Sequence, residues 1–134
     1  MAAFKISTIL LPVGRVLLAS LFILGGLNKI GNYGETVASM IDAGLPFASI
    51  LLPLVIALEL CGGALVAIGR TRLAPLAALA LAAFTVATNF VFHEFWTMDG
   101  LEAELELSLF FKNISIAGGL LLVAGMLMRD RTRE

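Results

Sequence analysis

The sequence predicts an all-α fold: an integral membrane four-helix bundle with a short interfacial helix between spans one and two. Three observations predict it. Four apolar stretches, each long enough to cross a bilayer, fill most of the 134 residues. The chain is 60% apolar and only 14% charged, with a mean hydropathy of +1.00, more apolar surface than so small a chain can hide in its own core. The alternation that marks barrel strands is absent, so helices are the remaining way to satisfy a backbone in lipid.

Span one reads as residues 8–27 and carries Arg15. Lys5 followed by an apolar run looks like a secretory leader, but no small-x-small cleavage site follows it, so it reads as a retained helix. Residues 28–46 form the first linker. Within it, residues 35–43 place Val37, Met40 and Ile41 at helical spacing, with Gly44 as the expected C′ residue and Pro46 after it. This is the expected interfacial helix. Span two covers residues 47–68 and carries Glu59. Residues 69–72 are a tight basic turn, so spans two and three are antiparallel neighbours. Span three covers 73–92 and span four 105–127. At ~1.5 Å per residue each crosses about 30 Å of hydrocarbon. The linker 94–104 holds a turn signal at Asp99 and Gly100, then Glu102 and Glu104, acids that suit the positive end of the next helix. No boundary divides the chain, which reads as one domain over 1–134.

Loop charges set an orientation. Lys5, Arg70, Arg72, Arg129, Arg131 and Arg133 fall at one end of the bundle; Glu35, Asp42, Glu94, Asp99, Glu102 and Glu104 fall at the other, with Lys29. The positive-inside rule then puts both termini in the cytoplasm. A net charge of −1 without a basic face argues against a nucleic-acid partner.

Charges within hydrocarbon are costly and mark where to look for function. Arg15 and Glu59 sit inside adjacent antiparallel spans, so Glu59 is expected to be either ion-paired with Arg15 or protonated. A structural pair fixes packing; a carboxylate that handles protons is catalytic. At the other end, Thr85, Asn89 and His93 share a face of span three, and Lys112, Ser115 and Gly119 share one of span four. Lys29, Asn89, His93, Lys112 and Asn113 therefore form a candidate convergent site, rich in donors and suited to quinone carbonyls or a small anion, with His93 and Glu59 as proton-exchanging groups. The alternative is a set of separate interfacial side chains, with Lys112 snorkelling to headgroups. Phe90, Phe92, Phe95, Trp96, Phe110 and Phe111 fit an interfacial belt or a stack on a flat ring. Gly25, Gly26, Gly62, Gly63, Gly118 and Gly119 favour close helix contacts.

These residues resemble the DoxX family of small bacterial four-helix membrane proteins. The match runs through Gly14 and Arg15, Gly26 to Ile30, Ala43-Gly44-Leu45-Pro46, and Glu59 with Gly62, Gly63, Leu65, Gly69 and Arg70. It continues through Phe92-His93-Glu94-Phe95-Trp96, Phe111-Lys112-Asn113 and Gly118-Gly119-Leu120-Leu121. The resemblance implies four spans, a bacterial inner-membrane location and a loose link to oxidoreductases, since some relatives look like subunits of thiosulfate:quinone oxidoreductase. It fixes no catalytic set; the positions carried over are Arg15, Lys29, Glu59, His93, Lys112 and Asn113.

Electron transfer by this chain alone meets an obstacle. One cysteine, Cys61, excludes a CxxC pair, and one histidine, His93, excludes a haem ligand pair within the chain. No dinucleotide-binding glycine loop or metal cluster is evident, so neither haem, flavin nor metal is expected as a cofactor. The expected function is a membrane subunit that docks a quinone or anchors a redox partner, with homo-oligomerisation open. A non-catalytic scaffold or assembly factor, and a carrier or sensor of a small solute, are the alternatives.

Overall fold

The length of each helix follows from where apolar sequence yields to turn residues. The computed structural model describes residues 2–132, with side chains from Ile6 to Thr132, so Lys5 and Arg133 of the basic set lie outside the described side chains. Helix α1 spans Ala2–Gly31, α2 Tyr33–Asp42, α3 Ala48–Ala57, α4 Gly63–Ile68, α5 Ala74–Phe92 and α6 Gly100–Arg131. Four segments are long and apolar enough to cross a membrane: Ile6–Gly31, Ala48–Ile68, Ala74–Thr97 and Gly100–Arg131. Among the described residues there is no strand.

Two spans outrun their apolar stretches. α1 continues through Asn28 and Lys29, and α6 begins at Gly100, ahead of the apolar run. Glu102 sits in the first turn of α6, where an acid meets the helix's partial positive charge.

The second span departs from a regular helix. α3 and α4 are joined by a π-helical turn at Leu58–Gly62, which buries Glu59 and Gly62. Gly69, with φ +66°, ends α4, and its N–H donates to the Leu65 carbonyl at 2.9 Å. A left-handed residue there turns the chain sharply enough to start α5 at Ala74. The interfacial helix α2 closes in the same way. Gly44, at φ +79°, donates to Ile41 O at 2.9 Å, and Leu45 N–H donates to Met40 O at 3.0 Å, the paired bonds of a Schellman end.

α5 and α6 pack most extensively, as an antiparallel hairpin; α1 lies along α4 and the π turn, and α4 lies on α5. The core between them is built largely from alanine, with Ala19, Ala78, Leu81, Ala117 and Leu120 sealed from solvent, so the helix axes come close. A second small core of Met40, Ala48 and Leu52 fastens α2 to α3. Leu24 and Leu122 point outward, 64% and 71% exposed, as expected where lipid is the solvent. α1 and α6 touch only lightly, leaving an open seam.

Candidate functional site

Glu59 owes its position to the π turn and to glycine. An extra residue in the turn swings the carboxylate toward α1. A Cβ at Gly25 would come within 3.3 Å of Glu59 Oε1, and one at Gly26 within 2.8 Å of the Leu60 side chain. Only glycines let α1 pass this close. On the other side of the contact, a Cβ at Gly63 would meet Ile23 at 2.9 Å.

Lys29 answers the carboxylate. Its Nζ donates to Glu59 Oε1 at 3.0 Å, and Glu59 is 5% exposed. The other carboxylate oxygen, Oε2, is buried without a hydrogen-bond partner. The pair lies on the wall of a cavity of about 620 Å³, framed by α1, α2, α3, α5 and α6. Leu21, Phe22, Leu52, Val55, Phe84 and Val91 make most of its surface apolar, and Thr36, Ser39 and Met40 of α2 close it on one side. Thr85, Thr88, His93 and Asn113 complete the polar part.

His93 ends α5 and meets α6: its Nδ1 donates to Glu106 Oε2 at 2.6 Å. Two acid–base pairs therefore sit around one cavity, Lys29–Glu59 and His93–Glu106. The chemistry available is donation to an acceptor oxygen, acceptance from a hydroxyl, and proton exchange. Among the described residues no group of His, Cys, Asp and Glu is arranged to hold a metal.

A family model described as DoxX matches residues 10–94. The chain belongs to the DoxX family. It is 38% identical over 120 residues to the inner membrane protein YqjF of Escherichia coli strain K12, covering 90% of this chain and 85% of that one. It is 32% identical over 117 residues to the inner membrane protein YphA of the same strain, covering 87% and 81%. No solved structure matches significantly. The DoxX match takes in Arg15, Lys29, Glu59 and His93, and stops before Glu106, Lys112 and Asn113.

The sequence-based pairing of Arg15 with Glu59 is corrected. In an α-helix side chains lean toward the amino end. Lys29, near the carboxyl end of α1, thus leans down into the bundle and reaches Glu59. Arg15, nearer the amino end, leans the same way, which carries it away from Glu59 toward the chain termini, and its Nη2 lies 3.5 Å from Ile68 O at the end of α4. Gly69 gives it room, since a Cβ there would stand 2.5 Å from Arg15 Cζ.

The expected convergent set divides in three. Lys29, His93 and Asn113 line the cavity. Asn89 is fully buried and staples α5 to α6, donating to Phe110 O at 2.9 Å and accepting from Asn113 Nδ2 at 2.9 Å. Lys112 is exposed on α6, outside the cavity, because neighbouring residues diverge by about 100° around a helix. Phe110 gathers Phe90, Phe95, Trp96 and Phe111 within 6.0 Å between ring centroids, so these rings meet one another. Of the expected belt of Phe90, Phe92, Phe95, Trp96, Phe110 and Phe111, Phe92 alone lines the cavity. Sequence reasoning missed Glu106, whose only mark is spacing: it lies one turn beyond Glu102 on the same face. It also missed Thr36 and Ser39, which the amphipathic pattern of α2 leaves without distinction.

Proposed function

We propose that this DoxX protein is the membrane subunit of a quinone-linked oxidoreductase system, docking the quinone head beside Lys29 and Glu59. One observation carries the reading: Glu59 lines a largely apolar cavity with Oε1 held by Lys29 and Oε2 buried without a partner. A buried polar atom without a partner costs about 1–3 kcal/mol, and a buried ion pair is a poor way to gain stability. A ligand that fills the cavity and answers both groups removes that cost. The Lys29 ammonium has further protons for a quinone carbonyl, and the hydroxyl of the reduced form donates to Glu59 Oε2. The cavity volume lies within the ~300–1,000 Å³ common for small-molecule sites.

Reduction of a quinone takes two electrons and two protons, and oxidation of the quinol releases them. The electrons come from, or pass to, a partner with its own carrier. Protons move through Glu59 and through the His93–Glu106 pair. The scaffold alternative expects a closed, tightly packed interior, and a cavity of about 620 Å³ weighs against it.

The charge asymmetry supports an orientation with both termini in the cytoplasm of the bacterial cell. The cavity then lies in the outer half of the membrane, and the quinone tail leaves it toward lipid.

Binding is measured on protein purified in bilayer nanodiscs, by extracting bound quinone and by titrating a short-chain quinone. Copurifying quinone and saturable binding are expected, with Lys29→Met weakening the titration about tenfold or more, the loss of one hydrogen bond from a charged group. Wild-type protein that yields no quinone and shows no saturable binding overturns the reading.

A further inference from the structure

We infer that the open seam between α1 and α6 is a phospholipid site, selective for a headgroup that joins a phosphate to a primary ammonium, as in phosphatidylethanolamine. The site is separate from the cavity at Glu59 and does not rest on the quinone reading. The two helices meet where Leu18 stands 3.7 Å from the Cβ position of Gly119. From there toward the chain termini they part, leaving a groove of about 310 Å³ along Leu11, Leu122 and Met126. Gly14 deepens it, since a Cβ there would meet nothing within 4 Å. An apolar groove that faces hydrocarbon takes up an acyl chain.

The charges at the groove choose the headgroup. Arg15 and Asp130 both line it. The Arg15 guanidinium is underused: Nε is buried without a partner, and the contact of Nη2 with Ile68 O is long, at 3.5 Å. Five donors in a planar fork suit a phosphate. Asp130 is exposed at the groove's outer end. Arg15 lies against Gly69, in the turn after α4. A phosphate on Arg15 and an ammonium on Asp130 satisfy both. A phosphoglycerol headgroup offers Asp130 only neutral hydroxyls in place of an ammonium, a weaker match for a carboxylate. A choline headgroup has no N–H to give.

Native mass spectrometry of the purified protein, offered equal amounts of phosphatidylethanolamine, phosphatidylglycerol and phosphatidylcholine, tests the site. Wild-type protein is expected to retain one phosphatidylethanolamine per chain, favoured about tenfold over either competitor. Asp130→Asn, at an exposed position, is expected to erase that preference. Gly14→Leu fills the groove and is expected to release the lipid with helix content unchanged by circular dichroism. Equal retention of the three lipids, preference for phosphatidylglycerol, an intact preference in Asp130→Asn, or a lipid-free dimer joined through the seam each overturns the proposal.

Discussion

Lys29 and Glu59 are costly residues to keep, and their cost gives a test at the scale of single side chains. Lys29→Met strands a buried carboxylate and is expected to destabilise the protein by about 1.5–3 kcal/mol. Adding Glu59→Leu to Lys29→Met removes the second charge and is expected to restore most of that loss, since replacing both members of a buried pair is often neutral. Thermal unfolding in detergent checks both; a double variant no more stable than Lys29→Met argues that the pair matters through something other than mutual charge. Gly69→Ala is a separate test. It forces a Cβ onto a residue at φ +66° and into the Arg15 guanidinium, so a loss of at least about 1–2 kcal/mol is expected. An unchanged unfolding temperature contradicts the packing of Arg15 over Gly69. The sequence marked Arg15, Lys29, Glu59 and His93 as the residues to watch, because a charge or imidazole among apolar neighbours is visible in one dimension. Which of them meet was not visible. That depends on the lean of each side chain along its helix and on the offset between spans, neither of which is written in residue order.

Among the elements, span count and the interfacial helix were legible because they rest on periodicity and turn chemistry: Val37, Met40 and Ile41, then Gly44 and Pro46, are sufficient for α2. The π turn was not. Leu58–Gly62 has the composition of any apolar helix, and the insertion of one residue per turn shows only in the backbone. Its consequence is testable. Deleting Cys61, an exposed residue within that turn, removes the extra residue and restores a regular pitch, so α4 keeps its face against α3 while Glu59 loses its swing toward α1. Helix content is expected to stay the same by circular dichroism, while quinone binding falls below detection. Binding that survives the deletion shows that the turn does not position Glu59. The apolar boundaries also misjudged α1 and α6. Lys29 stays helical because its ion pair draws it inward, which hydropathy alone reads as the end of a span.

For the whole molecule, helical class and family membership were the most legible features, since both rest on patterns that run the length of the chain. The cavity was the least legible. It arises where α2 folds back over the gap between α1, α3 and α5, an arrangement of packed elements with no local signature. The proposed orientation is checked with Cys61→Ala as background: a membrane-impermeant thiol reagent added to intact cells is expected to label Asp99→Cys and leave Thr132→Cys unlabelled. The reverse pattern inverts the topology. The most direct test of the central claim is photolabelling of the protein in its native membrane with an azidoquinone, with adducts mapped by peptide mass spectrometry. Labels are expected on the cavity walls, within residues 21–29, 36–55 and 84–93, displaced by excess quinone and lost in Lys29→Met. Labels confined to the lipid-facing side of α6, or indifferent to competing quinone, contradict a quinone held beside Lys29 and Glu59.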